Sequence, residues 1–465
     1  MTGFHRTHRP VIILGGGISG LATAYYLKKK GVDVTLLEKE KQAGGVIRSE
    51  FQYGCMLEFG PNTMRDKHGN IAAIASDIGL EEDLIEISEA FKTRYVVQNR
   101  ELSALSSHPL SIFYSRLLSL SGKWSILKEL FKRTTPPREE SVGTFIERRF
   151  GKEITSKLAE PLFKGIYACD LYQLDKDFVL PEVSTFEQTY GSVLKGFMKE
   201  KRNSPSPTVL SFRNGLQQLP HTLSQWLNPH IEHQKACSIT KQGDGYAIET
   251  DTTSFTADHV ISTLPAYVLE HVIDDAFTEL KTHLNRISYT PILSVQLIYK
   301  ELHSQTQKGF GFLVPSTERL SLMGAIWRDQ IFPDMYSNGY RVFNLLIHGD
   351  QVKQENNTES EVSVIDRVID EFKDIMNINE NPDYVLHRYW ENAIPRYEVG
   401  HKRWIDELEN ISSQLKGFHV GGNYRWGASI ADCVEGAHKL SNALTPKAFQ
   451  NVTFAASSHN LHINS

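Results

Sequence analysis

Val11-Ile-Ile-Leu14-Gly15-Gly16-Gly17-Ile18-Ser19-Gly20-Leu21, running on through Lys30-Gly31 to Val32-Asp-Val-Thr-Leu-Leu37-Glu38, decides the fold. Val11 to Leu14 reads as a short, fully buried strand. Gly17 to Lys30 has helical periodicity, with Leu21, Ala24, Tyr25 and Leu27 on one side. Gly31 stops the helix and Val32 to Leu37 forms the next strand. The spacing predicts a βαβ unit, and therefore a parallel sheet. Gly15 to Gly20 matches GxGxxG, a weak pattern alone but a meaningful one between a strand and a helix. Gly15 permits the tight turn, Gly17 lets the backbone approach a pyrophosphate, and Gly20 allows close helix–strand packing. Gly16, Ile18 and Ser19 complete the loop, and the helix N-terminus offers N–H groups and a positive dipole to phosphates. Glu38 is placed to accept hydrogen bonds from adenosine ribose hydroxyls. A glycine turn with no ligand is the bland alternative; loop, helix and acid together favour a dinucleotide cofactor.

Outward from this unit, 465 residues predict about two or three lobes. Hydrophobic residues make up 40% and charged residues 23%, a globular composition. A formal net charge of -5 gives no general attraction to nucleic acid. Cys55, Cys169, Cys237 and Cys433 lie far apart, with no spacing for zinc or iron–sulfur, and this usage fits a reducing compartment, the cytoplasm. The basic start MTGFHRTHRP leads straight into a strand, unlike a signal peptide. No apolar run reaches the roughly 18 residues of a membrane span.

From about Glu81 to Lys201 the pattern is mostly helical, and Ser204-Pro205-Ser206-Pro207 breaks it. Gly215 to Trp226 is helical, and short strands follow between Ile231 and Leu264. Strands are expected at Ile292 to Tyr299, Gly311 to Val314, Leu322 to Trp327 and Arg341 to Ile347. An amphipathic helix spans Glu361 to Met376; a last buried strand, His419 to Gly422, precedes a helix from Ala431 to Leu444 and a polar tail.

Gly44-Gly45-Val46-Ile47-Arg48-Ser49 resembles the second glycine pair of FAD enzymes that include the amine oxidases and protoporphyrinogen oxidases. Further segments resemble the protoporphyrinogen and coproporphyrinogen III oxidases in particular: Glu58-Phe-Gly60-Pro61-Asn62, Ser211 to Pro220, Lys308 to Pro315, Ala393 to Tyr397 with Gly400-His401, and Gly421 to Tyr424 with Gly427 to Asp432. They run in order over nearly the whole chain. The resemblance implies an α/β fold: a Rossmann-like FAD-binding domain of the p-hydroxybenzoate-hydroxylase/amine-oxidase type, a mixed-sheet substrate domain and a helical lobe. The implied division is 1–85, 206–268 and 417–446 for the discontinuous FAD domain, 86–205 for the helical lobe, 269–416 for substrate binding and 447–465 for a loosely ordered tail. Non-covalent FAD would be held at Gly15, Gly16, Gly17, Ile18, Ser19, Gly20, Glu38 and Lys39 on the ADP half. Gly44, Gly45, Val46, Gly60, Pro61 and Asn62 would follow toward the ring, with Arg48 balancing phosphate charge. Ala236 would touch the adenine side, Trp390 would pack near the isoalloxazine, and Ser429, Ile430 and Ala431 would close the site.

The implied reaction is oxygen-dependent oxidation of CH–CH groups, protoporphyrinogen IX to protoporphyrin IX in haem biosynthesis, with hydrogen peroxide as by-product. Coproporphyrinogen III on the same fold is the near alternative, and a flavin amine oxidase or a flavin-binding protein without activity the distant ones. Arg94 matches a carboxylate-binding arginine, and Phe310, Leu313, Phe332 and Leu345 fall where ring-sandwiching residues lie. Read alone, these are a surface arginine and ordinary core. No catalytic base and no metal ligand stands out, which suits chemistry carried by a cofactor. His401 is either a supporting group or a loop cap. Leu110 to Phe131, with aromatics, Arg116, Lys123 and Lys128, is either a membrane-surface segment or internal packing. Peripheral contact with the inner face of the cell membrane and a homodimer stay open.

Overall fold

The computed structural model describes residues 7–106, 117–132, 137–200, 208–304, 306–337, 339–354 and 361–444. The Ser204–Pro207 break, the tail from 447 and residues 110–116 of the candidate membrane segment lie outside these.

The opening unit folds as its sequence predicts. β1 (Thr7–Leu14), α1 (Ile18–Lys29) and β2 (Val34–Leu37) form a βαβ unit in which Val11 pairs with Val34 and Leu14 with Leu37, in parallel. The sheet order runs Ile231–Glu232, β2, β1, Ser254–Ser262, Gly245–Thr250 and Ala236–Gln242, with Phe418–Val420 also parallel to Ser254–Ser262. Val11 and Ile13 pack with α1 and the helices Asn70–Asp77, Gln218–Leu227 and Ile430–Ala443. Ile12 and Leu14 face the opposite layer, with the helices Ala266–Val272, Thr278–Leu284 and His401–Gln414. Burial on both faces is why the strand reads as an unbroken apolar run, and each such side chain contributes roughly 1.5–3 kcal/mol relative to exposure. Gly31 takes φ +77° just beyond α1, a left-handed stop that a glycine adopts without strain.

A second sheet orders its strands Tyr384–Pro395, Tyr289–Tyr299, Arg341–His348, Leu322–Trp327, Gly311–Leu313, Thr93–Gln98 and Glu101–Ser106. One face, with Val295, Leu297, Phe343 and Leu345, packs under the helix Glu361–Met376 through Val364, Val368 and Phe372. The alternate residues Ser294, Gln296 and Asn344 occupy the other face, which turns toward the first domain.

Two parts of this sheet differ from the sequence reading. The stretch from Glu81 is mostly helical only beyond Leu120: Thr93–Gln98 and Glu101–Ser106 are strands of this sheet, with Thr93–Gln98 parallel to Gly311–Leu313, and Leu84–Glu86 pairs with Thr208–Phe212 in a separate three-stranded sheet. The hairpin turn is Asn99-Arg100, both at positive φ (52° and 61°), without the glycine that usually marks such a turn. Tyr384–Pro395 is an edge strand whose mixed polar and aromatic residues lack a clean alternation.

The helical region from Leu120 to Glu200 has its own apolar core around Leu118, Val142, Phe145, Leu171, Leu174 and Val193. Beneath it lies a buried ion network. Arg149 Nε donates to Glu129 (2.9 Å), Arg148 pairs with both Glu140 (2.8 Å) and Glu187 (2.7 Å), and Ser192 Oγ and the Val193 N–H donate to Glu129 (2.6 and 2.8 Å).

Candidate active site

The glycine loop forms a backbone cradle. A Cβ on Gly20 would lie 1.9 Å from the Gly15 carbonyl oxygen, so the helix presses directly on the turn. A Cβ on Gly17 would meet no heavy atom within 4 Å, so this glycine opens onto free space. Gly44 donates to the Gly16 carbonyl (2.8 Å), and a Cβ on Gly45 would meet only Gly17 Cα at 3.5 Å. The two glycine segments therefore sit side by side, leaving a strip of backbone beside the N-terminus of α1. That fits a pyrophosphate, which needs close backbone approach and N–H donors.

Glu38 accepts from the Gly16 N–H (2.5 Å) and the Glu40 N–H (2.8 Å), which fixes its carboxylate at the end of β2. Glu232 accepts from the Glu38 N–H (3.1 Å), and His233 Nδ1 lies 2.8 Å from the Glu40 carbonyl oxygen. That contact brings the segment leading into Ala236 alongside Glu38 and Lys39, the expected adenosine end. Lys39 itself is exposed and lies 3.6 Å from Glu40. Arg48 donates to the Gln42 amide oxygen (2.7 Å) and lines an outer cleft with Glu50, Gln217 and Arg388, so its side chain is engaged there.

A second helix N-terminus converges on the first. Ser429 caps Ile430–Ala443 by accepting from the Asp432 N–H (3.0 Å), and Cys433 in its first turn lies against Ser19 of α1. Two positive helix ends at one place suit an anionic or electron-accepting group. Val46 is partly exposed, and a Cβ on Gly60 would collide with its carbonyl oxygen at 1.9 Å, so Gly45–Val46 and Gly60–Pro61 form one wall. Trp390 Nε1 donates to the Phe59 carbonyl (2.7 Å), tying that wall to the second sheet. His401 is buried and lies 2.8 Å from the Tyr424 carbonyl oxygen through Nε2; burial pushes its imidazole down to about 4. It braces the Gly421–Gly427 loop as a neutral ring.

The sequence reading missed a polar seam between the domains. Gln296 and Asn344 donate to the Glu58 carbonyl (2.6 and 3.3 Å), and Asn344 also to Asn62 Oδ1 (2.8 Å). Arg328, fully buried, donates to the Asn62 carbonyl (2.6 Å) and lies 3.9 Å from the Glu58 carboxylate. Burial pushes the Glu58 carboxyl up to about 7, although Arg328, the Leu216 N–H and Ser49 oppose it. These residues hold Gly60–Asn62 against the second sheet. Arg328 ends an apolar strand, where an arginine reads as an ordinary surface residue until the tertiary fold buries it.

Of the ring-binding candidates, Phe310 and Phe332 belong to one apolar cluster with Ile331 and Met335. Arg94 lies 5.1 Å from the Phe310 ring centroid and 4.6 Å from that of Phe91. Leu313 lies against the Glu160–Tyr167 helix, since a Cβ on Gly165 would meet it at 2.6 Å. Leu345 is not brought to this group. It pairs with Val295 and Ala325 and is buried under Glu361–Met376, because strand alternation sends it to the face opposite its neighbour Asn344.

A βαβ glycine cradle, a second glycine strip and a converging helix end define a flavin-dependent oxidoreductase. The model of the flavin-containing amine oxidoreductase family matches residues 18–444, and the chain belongs to that family, with FAD as cofactor. Among relatives, it is 32% identical to the chloroplastic protoporphyrinogen oxidase of Oryza sativa subsp. japonica, over 96% of this chain and 90% of that protein. It is 29% identical to the coproporphyrinogen III oxidase of Bacillus subtilis (strain 168), over 94% of this chain and 98% of that one. A crystal structure from Exiguobacterium sp. 255-15 shares the fold, with a TM-score of 0.81 at 23% identity, covering 95% of this chain and 100% of that chain.

Proposed function

We propose that this protein oxidises a porphyrinogen to a porphyrin in haem biosynthesis, with protoporphyrinogen IX as substrate and O2 as final acceptor. The relatives named above support the reaction class. The Bacillus relative, aligned over nearly its full length, keeps coproporphyrinogen III as the second reading. Bound FAD supplies the two-electron acceptor and its reoxidation by O2 yields hydrogen peroxide. The chain's own residues bind and orient. Gly15–Gly20 and Glu38 hold the nucleotide half, Gly44–Val46 and Gly60–Asn62 wall the ring end, and Phe310, Leu313 and Phe332 offer apolar surface to a macrocycle.

Arg94 is the observation that carries the reading. It packs against two mutually touching aromatic rings, Phe91 and Phe310, and its side chain has no acid or hydrogen-bond partner among the described residues. Burial, then the charge of Arg65, hold its guanidinium below the ordinary range. A half-buried cation without a protein partner is a place for an anionic ligand. Arg94→Ala is expected to raise KM for the porphyrinogen about tenfold to a hundredfold, the value of a charge-assisted pair at a partly wet rim. FAD content and Tm should stay near wild type. Steady-state kinetics with flavin quantitation checks this; an unchanged KM would return Arg94 to a structural role.

Membrane contact is proposed through the helix Leu120–Glu129. Leu120, Trp124 and Phe131 are 79%, 62% and 83% exposed, and with Leu127 they fall at i, i+4, i+7 and i+11. The opposite side carries the buried Glu129, so this helix is anchored by charge and shows its apolar side outward. Among the described residues, no helix is long and apolar enough to cross a membrane. Holoenzyme should sediment with anionic vesicles, and Trp124→Ser with Phe131→Ser should abolish this. Equal sedimentation of both proteins would rule out the helix as the contact.

A further inference from the structure

The rim that holds Arg94 carries more cations, and they are not equivalent. Lys92 is paired with Glu89, and Lys67 lies 3.2 Å from Asp432. Arg65 and Arg94 have no ion-pair or hydrogen-bond partner among the described residues. Arg65 lies in the strand Met64–Asp66, between a buried Met64 and an Asp66 whose carboxylate accepts from the Ala72 N–H (2.9 Å). Strand alternation therefore sends Arg65 to the face opposite Met64, and it is exposed.

Arg65 pairs with Val209, whose carbonyl accepts from the Ile87 N–H (3.0 Å), and alternation puts it on the sheet face of Ile85, which packs in one apolar cluster with Phe310 and Phe332. Asn62, three residues earlier, is bonded to Asn344 on the face of the second sheet that meets Glu58 and Asn62. In register across that sheet, Asn344 pairs with Ile326 and Ile326 with Gly311, while Phe312 pairs with Tyr95, so that Arg94 borders Gly311. Three strand spacings put Arg94 about 14 Å from Asn344 along the row. The charge of Arg65 adds to burial in holding the Arg94 guanidinium below its ordinary range. Two like charges held together with no acid between them repel unless an anion sits at both.

We propose that Arg65 and Arg94 form a carboxylate clamp, each taking one of two propionates on neighbouring pyrroles of the same macrocycle. This rests on the porphyrinogen reading above and adds a second cation for the carboxylate edge of the ring. A substrate with adjacent carboxylates on one edge fits it; a ring with a single acid engages half of it.

The test uses FAD-loaded holoenzyme and deuteroporphyrin IX, a dicarboxylate, followed by fluorescence titration beside its dimethyl ester. Arg65→Ala should weaken binding of the diacid about tenfold, and Arg65→Lys less, since an ammonium keeps charge but loses the planar fork. Ester binding should be the same in wild type and Arg65→Ala. FAD content and Tm should not change. Diacid binding unchanged in Arg65→Ala, or equal losses for diacid and ester, overturns the clamp. If wild-type flavin is bleached by a porphyrinogen while Arg65→Ala shows no binding defect, the function stands and the clamp falls. If no porphyrinogen bleaches the wild type, both fall together.

Discussion

Replacing Gly17 with valine is expected to give a folded protein that holds no FAD. The space beside Gly17 is empty of protein: a Cβ there meets nothing within 4 Å, and the backbone φ of -69° is one that valine adopts. The side chain should therefore fit the chain and fill the strip of backbone that the pyrophosphate needs. Gly20→Ala should behave in the opposite way, because its Cβ would sit 1.9 Å from the Gly15 carbonyl oxygen and force the helix from the sheet. The comparison to make is with wild type stripped of FAD, since loss of a bound ligand lowers Tm by mass action. Gly17→Val should match that apoprotein in circular dichroism and Tm, with no visible flavin absorbance after purification. A yellow Gly17→Val protein with full FAD content would show that the cofactor lies elsewhere.

Glu129→Ala is expected to be the most destabilising substitution in the helical region. Glu129 is fully buried, and its carboxylate accepts from Arg149, Ser192, Val193 and Leu194. Removing it leaves Arg149, also fully buried, with a charge short of its main partner. Breaking a buried pair by removing one side costs about 3–5 kcal/mol. Glu187 lies 3.3 Å from Arg149 and already serves Arg148, so it compensates only in part. Burial raises the Glu129 carboxyl, but the bonds from Ser192, Arg149 and the two backbone N–H groups hold it below its ordinary value. A folded carboxyl that titrates lower than the unfolded one adds stability at neutral pH and loses it as pH falls. Urea unfolding at neutral pH should show the loss, with the gap between variant and wild type shrinking in acid. A change under about 1 kcal/mol would mean the network relaxes around the gap.

How much of this was legible in the sequence depended on how local the signal was. The βαβ unit was readable because strand, glycine turn, helix and acid lie inside 28 consecutive positions, Val11 to Glu38; the start of β1 was missed, by four residues, because Thr7 to Pro10 are not apolar. The strands from Ile292 to Ile347 were readable because most are apolar through their length. The hairpin Thr93–Ser106 was not, since its Asn99-Arg100 turn carries no glycine and its pairing with Gly311–Leu313 crosses more than two hundred residues. Arg328, Gln296 and Asn344 were invisible for the same reason: each is an unremarkable polar residue until the second sheet meets Glu58 and Asn62. Leu345 shows the reverse error. Its position along the chain suggested the ring pocket, yet a strand neighbour of Asn344 must point to the other face.

Anaerobic mixing of purified holoenzyme with protoporphyrinogen IX, and separately with coproporphyrinogen III and an amine such as putrescine, tests the central claim most directly. The flavin's visible band should bleach with a porphyrinogen, porphyrin absorbance should rise in step, and admitting O2 should restore the flavin and release hydrogen peroxide. The amine should leave the flavin oxidised. Flavin that stays oxidised with both porphyrinogens, and bleaches with the amine, would contradict the account.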